Sequence, residues 1–171
     1  MACPSIGLST KPTLTRFIYY KLLTLVPVSA AITAMVRQGD SLIWPILYVA
    51  ACLTHAGIMN AAKCPHCPYY KMGAGTFSCF IWWSTPKLWA DREGPERAWV
   101  GKYAVFGIAV LTLFPVYWLI REWPLLLIYL LGLGGLILSI GLHECSRCLN
   151  FNCAHCTVPD DLRREYLKTL C

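Results

Sequence analysis

Phe17-Ile-Tyr-Tyr-Lys-Leu-Leu-Thr-Leu-Val-Pro-Val-Ser-Ala-Ala-Ile-Thr-Ala-Met-Val36 is an apolar run bounded by Arg16 and Arg37. At about 1.5 Å per residue it is long enough to cross a hydrocarbon core of about 30 Å as a helix. Its one charged side chain, Lys21, has a stem that can carry the ammonium to the headgroups. Pro27 predicts a kink. A cleaved leader is the alternative reading. However, no basic residue precedes the run until Lys11, the run exceeds the usual apolar core of a leader, and Ala34 and Val36 make a poor cleavage site.

Three further runs repeat this pattern: 42–59, about 98–120, and 124–142. Pro45 and Pro124 fall in first turns, where a missing N–H has no helical partner. Gly132, Gly134, Gly135 and Ser139 give the fourth run a surface that another helix can approach closely. The whole chain is 57% hydrophobic and 14% charged, with mean hydropathy +0.51. Soluble domains are about one quarter charged. The expected fold is an all-α integral membrane domain of four transmembrane helices in a lipid bilayer.

Four spans put both termini and the 60–97 loop on one side. Of the 15 Lys and Arg residues, only Arg37 and Arg121 lie in the opposite turns, so the crowded side is expected to be cytoplasmic. The net charge of +6 is then mostly topological, and no basic stripe interleaved with aromatics points to nucleic acid. Trp44, Trp118 and Trp123 suit the far interfacial belt, and Trp89, Trp99 and Tyr103 the near one.

Topology sets the chemistry of the cysteines. Cys64, Cys67, Cys79, Cys145, Cys148, Cys153 and Cys156 fall outside the spans on the expected cytoplasmic side, whereas Cys52 is inside the second span and Cys3 and Cys171 are terminal. In a reducing compartment such a cluster points to a metal site or redox centre rather than a disulfide framework. Cys145-Ser-Arg-Cys148-Leu-Asn-Phe-Asn-Cys153-Ala-His-Cys156 holds two C-x2-C pairs, enough for a tetrahedral or cluster-binding set. Its C-x4-C-x2-C portion has the spacing of plant-type ferredoxins, with Cys145 as a further ligand. Cys64-Pro-His-Cys67-Pro, followed by Cys79, suits a metal knuckle or a redox pair, since flanking prolines stiffen the loop. Cys64 and Cys67 complete one site with a pair from the tail, or form a second centre with Cys79. His66, His143 and His155 are secondary ligands or thiolate hydrogen-bond partners.

His55 lies in the second span, three residues after Cys52. An ionisable group at that depth suits quinone hydrogen bonding or proton relay, with simple helix packing as the plain alternative. A haem pair is disfavoured because no second histidine lies at matching depth. The aromatic 68–97 segment, with Tyr69, Tyr70, Phe77, Phe80, Trp82, Trp83 and Trp89, is expected to be buried at the interface, a partner surface being the second reading. In the cysteine-rich 143–171 tail, Asp160 and Asp161 open a short amphipathic helix with Leu162, Tyr166 and Leu170 on one face.

In architecture, four spans with cytoplasmic cysteine motifs resemble bacterial membrane-anchored iron–sulfur quinol oxidoreductases, although the C-x3-C-P motifs of that group are absent. Four spans with a C-x-x-C also resemble disulfide-generating membrane proteins, which keep their cysteines on the oxidising side. Clustered thiolates beside a membrane histidine lead to the expectation of electron transfer between a cytoplasmic iron–sulfur centre and a quinone or partner enzyme in a prokaryotic inner membrane, with the cysteines above as ligands and His55 at the quinone. A structural zinc cap that anchors or assembles other proteins is the alternative. Disulfide exchange at Cys64 and Cys67, or passage of a soft metal along Cys52 and the cytoplasmic thiols, is the third possibility. No phosphate-cradling loop, Ser/His/Asp constellation or intramembrane carboxylate pair points to a hydrolase or nucleotide-driven pump.

Overall fold

A computed structural model describes residues 8–9, 13–39, 41–94, 96–151, 153 and 156–169. Cys3, His155, Leu170 and Cys171 lie outside the described residues.

Helix α1 (Leu14–Gln38) starts where the Thr13 hydroxyl accepts the Arg16 N–H at 3.3 Å. It runs through Pro27 without a break. Helix α2 (Ile43–Ala62) is followed by a 3-10 turn, Cys64–His66, and the single-turn α3 (Pro68–Lys71). The third run spans Ala98–Leu119 in two helical pieces: α4 (Ala98–Leu113) stops short of Pro115, and α5 (Val116–Leu119) restarts after it. Pro115 has no N–H to donate, and its ring crowds the carbonyl four residues earlier. Two N–H groups, of Trp118 and Leu119, instead converge on the Pro115 carbonyl at 3.1 Å. Helix α6 (Trp123–Ser139) widens into a π turn, Ile140–Glu144, and then tightens into a 3-10 turn, Cys145–Arg147. The tail ends in α7 (Asp160–Thr169), with Leu162 and Tyr166 half-buried.

Among the described residues, four helical segments are long and apolar enough to cross a membrane: Leu14–Gln38, Ile43–His66, Ala98–Leu119 and Trp123–Arg147. Helical backbone thus reaches past the expected ends of the second and fourth runs, and Cys64 and Cys145 sit on continuations of span helices rather than in open loops. Large apolar side chains on these helices face outward; Leu131 is 75% exposed, which in water would be an untenable surface for so many residues. The chain is an all-helical membrane protein.

Packing between spans uses small residues and tyrosines. Helix α1 runs along α6, and α2 pairs with α4. One core gathers Ala30, Ala31, Ala34 and Met35 with Tyr48, Trp118, Leu119 and Tyr129. Near it, Arg37 pairs with Glu122 at 3.4 Å, and Tyr129 donates to the Thr112 carbonyl at 2.7 Å. At Gly132 a Cβ would lie 2.9 Å from Pro27 Cδ and 3.0 Å from Val26 Cγ1, whereas at Gly134 it would meet nothing within 4 Å. Gly132→Val should therefore push α1 and α6 apart and cost about 1–3 kcal/mol. Thermal unfolding in detergent should show a lower midpoint for Gly132→Val and an unchanged one for Gly134→Ala.

Candidate metal centre

The Cys64/Cys67 and Cys145/Cys148 pairs have the same backbone. Each follows a span helix, each begins in a 3-10 turn, and in each the second cysteine is extended: Cys67 has φ −82°, ψ 135° and Cys148 has φ −79°, ψ 135°. Proline at Pro65 suits the turn because its fixed φ lies in the helical range and its nitrogen is not needed as a donor. The extended second cysteine reverses the chain, and after Cys67 the Tyr70 and Lys71 N–H groups donate to its carbonyl at 3.0 and 3.3 Å. Cys148 Sγ accepts the Asn150 N–H at 3.4 Å, while the amides of Tyr69 and Tyr70 beside Cys67, and of Ile81 and Trp82 beside Cys79, act to lower the pKa of those thiols. Donors two and three residues ahead of a sulfur favour its thiolate form, the form that binds metal.

Loop and tail meet around Tyr69. Its hydroxyl donates to the Ser9 carbonyl at 2.7 Å and accepts the Leu149 N–H at 3.2 Å, and Ser9 N–H donates to the Arg147 carbonyl at 2.8 Å. Leu8, Tyr69 and Leu149 form a small buried cluster against which Cys67, Cys79 and Cys148 pack. Electrostatically, Cys67 lies within reach of Cys79 and Cys148, and Cys64 of Cys67 and Cys79. Cys148 and Cys145 each sense Cys153 and Cys156. Cys148 is thus coupled electrostatically to both the loop thiol Cys67 and the tail thiols.

Burial pushes the Cys67 thiol up to about 12 and the Cys148 thiol up to about 11, with the amide donors opposing it; burial raises Cys79 as well. At neutral pH these groups are thiols, so a metal must displace protons to bind, and affinity should rise with pH. Cys52, Cys64, Cys67, Cys79, Cys145, Cys148, Cys153 and Cys156 are free thiols. Among the described residues no three His, Cys, Asp or Glu side chains are grouped so that they could hold a metal ion. The donor types fit a soft metal, but their arrangement stops short of a closed ligand set.

Glu144 was not distinguished by the sequence. It is buried at 8% exposure, lies 3.9 Å from Arg16 Nη1 and sits beside the Tyr20 phenol, which donates to the Ser139 carbonyl at 3.3 Å. Its charge reaches both Cys79 and Cys145. An acid just before Cys145 was the available signal, but its partners come from α1. Lys21 also departs from simple snorkelling: its ammonium is 5.4 Å from the Phe17 ring centre and 5.1 Å from that of Trp82, and it lies near Cys79. The aromatic loop is accordingly packed within the protein rather than only at an interface, with Tyr70, Phe77 and Tyr69 buried and Phe80 4.8 Å from Tyr20. His66 Nδ1 donates to the Gly94 carbonyl at 3.1 Å, and His143 is exposed.

His55 stacks on Tyr103 with ring centres 5.4 Å apart and sits against Gly107 of α4, where a Cβ would collide with its ring. Its Nδ1 is buried without a hydrogen-bond partner. Tyr48 and Cys52, and likewise Asn60 and Cys64, are four residues apart along α2 and the turn beyond it, so each pair shares a face. Asn60 is buried at 8% exposure, and its Oδ1 is also unpartnered.

The fold and site define an all-helical membrane protein with free thiols on two matched turns at helix ends. No family model matches the chain, and neither a curated protein nor a solved structure matches it.

Proposed function

We propose that this protein carries a thiolate-ligated metal centre at one end of its membrane helices, on the cytoplasmic side, and serves electron transfer to a quinone or a partner enzyme. The matched C-x-x-C turns, with the Asn150 amide on Cys148 Sγ and further amides beside Cys67 and Cys79, carry the reading. Cys64, Cys67 and Cys79 would supply the loop ligands and Cys145, Cys148, Cys153 and Cys156 the tail ligands. An iron–sulfur group in such a ligand set supplies a one-electron carrier whose potential responds to hydrogen bonds on its sulfurs. The amides would hold negative charge at the sulfurs, the Tyr69 cluster would limit water, and His55, with its unpartnered Nδ1, would hydrogen-bond quinone between α2 and α4. The Lys and Arg distribution supports the cytoplasmic placement.

A structural zinc cap is the second reading, favoured by the way Tyr69 ties the Ser9 segment, loop and tail together. Anaerobic purification followed by metal analysis, acid-labile sulfide assay and visible absorption separates the two. Iron with sulfide, retained in His55→Leu while quinone-coupled oxidation slows, is the expected result. Zinc alone would replace the electron-transfer reading with the structural one, and absence of bound metal would overturn both.

A further inference from the structure

Where α2 ends and α4 begins, a cavity of about 540 Å³ is lined by Ala62, His66, Arg92, Glu93, Arg97 and Trp99, together with Val100. Both arginines are exposed and, unlike Lys63 and Lys87, are without partners. Lys63 pairs with Glu96 at 3.7 Å and Lys87 with Asp91 at 3.3 Å, whereas among the described residues the Arg92 and Arg97 side chains make neither ion pair nor hydrogen bond. One carboxylate, Glu93, faces two guanidinium groups, so the cavity has a net positive charge. Arg97 is also the N-cap of α4, which has no side-chain cap and no acidic residue in its first turn. The positive end of that helix dipole, with its open N–H groups, therefore adds to the field of the arginines.

Position decides the source of the anion. Ala62 closes a membrane-spanning helix, Trp99 and Val100 open another, and Trp99 is half exposed. Tryptophan at a helix end belongs at headgroup depth. The geometry points to a binding site for the phosphate of an anionic phospholipid, whose headgroup enters between the ends of α2 and α4 while its acyl chains remain against their outward apolar faces. Guanidinium groups suit this ligand because their planar donor forks match phosphate oxygens, with Arg92 and Arg97 on the phosphate and Trp99 at the glycerol level. The site abuts the Cys64–Cys67 turn through His66, but its arginines and helix end require no thiol and no metal.

The full chain, purified in a non-ionic detergent, is titrated with short-chain phosphatidylglycerol, with the equivalent phosphatidylcholine, and with inorganic phosphate, while binding is followed by native mass spectrometry. Phosphatidylglycerol should bind at least about tenfold more tightly than phosphatidylcholine, and Arg92→Gln with Arg97→Gln should remove that preference. Arg164→Gln with Lys168→Gln, which removes the same charge from exposed positions of α7, should retain it. Circular dichroism of both double variants reports that they are folded. An unchanged preference in the Arg92/Arg97 variant, or its equal loss in the α7 variant, would overturn the site. Binding of inorganic phosphate without phosphatidylglycerol would overturn the lipid assignment in favour of a soluble phosphate.

Discussion

Cys148→Ser should remove most of the bound metal, with affinity falling by more than about tenfold, since even groups that only support a ligand are worth roughly 10–100-fold. Serine keeps the size but replaces a soft thiolate with a poorly ionised hydroxyl. Cys148 is the position of largest expected effect because it is coupled electrostatically to both the loop thiol Cys67 and the tail thiols Cys145, Cys153 and Cys156. Cys67→Ser should approach the same loss, since Cys67 occupies the matching extended position of the other turn. Cys52→Ser, within the membrane helix, should leave the metal in place. The measurement is metal per protein after equilibration with a competing chelator across a pH series, and the retained fraction in wild type should increase with pH as buried thiols lose protons more readily. Equal metal loss from Cys52→Ser and Cys148→Ser would mean that the metal is held adventitiously.

The second large effect belongs to a residue that ligates nothing. Tyr69→Phe removes the hydroxyl that accepts the buried Leu149 N–H and donates to the Ser9 carbonyl, leaving two backbone groups without their partner. An orphaned buried polar group costs about 1–3 kcal/mol. Tyr69→Ala also empties the centre of the Leu8–Tyr69–Leu149 cluster, and truncating a buried aromatic costs about 3–5 kcal/mol. For a chain of this size the alanine variant should melt on the order of 10 °C lower. Because the lost contacts join the loop to the tail, maleimide should reach Cys67 and Cys148 faster in both variants, while Cys52 in the bundle keeps its wild-type rate. If Cys67 and Cys148 kept their wild-type rates, the phenol would not be what holds the two thiol segments together.

The membrane class was legible from sequence because span length and apolar content are local, additive properties. Phe17–Val36 is long enough to cross a bilayer whichever helix it touches. The C-x-x-C spacing was equally readable, since it prescribes a short turn without reference to the rest of the chain. Pro115 was readable in principle: its missing N–H had the same meaning in the sequence as in the break between α4 and α5, but the strong apolar run around it hid the interruption.

Tertiary structure decided which distant groups meet. Neither the order nor the spacing of residues assigns Cys148 to the neighbourhood of Cys67, places Tyr20 and Arg16 beside Glu144, or joins Ser9 to Leu149 through one phenol. Those contacts follow from how α1 lies along α6 and how the loop folds back over the helix ends. The sequence by itself determined the helices, their membrane setting and the inventory of soft ligands, because each depends on neighbours along the chain. Which sulfurs adjoin, which carboxylate stands beside them and which arginines remain unpaired were decided by packing, because Coulomb and contact forces act over a few ångströms of space regardless of separation in sequence.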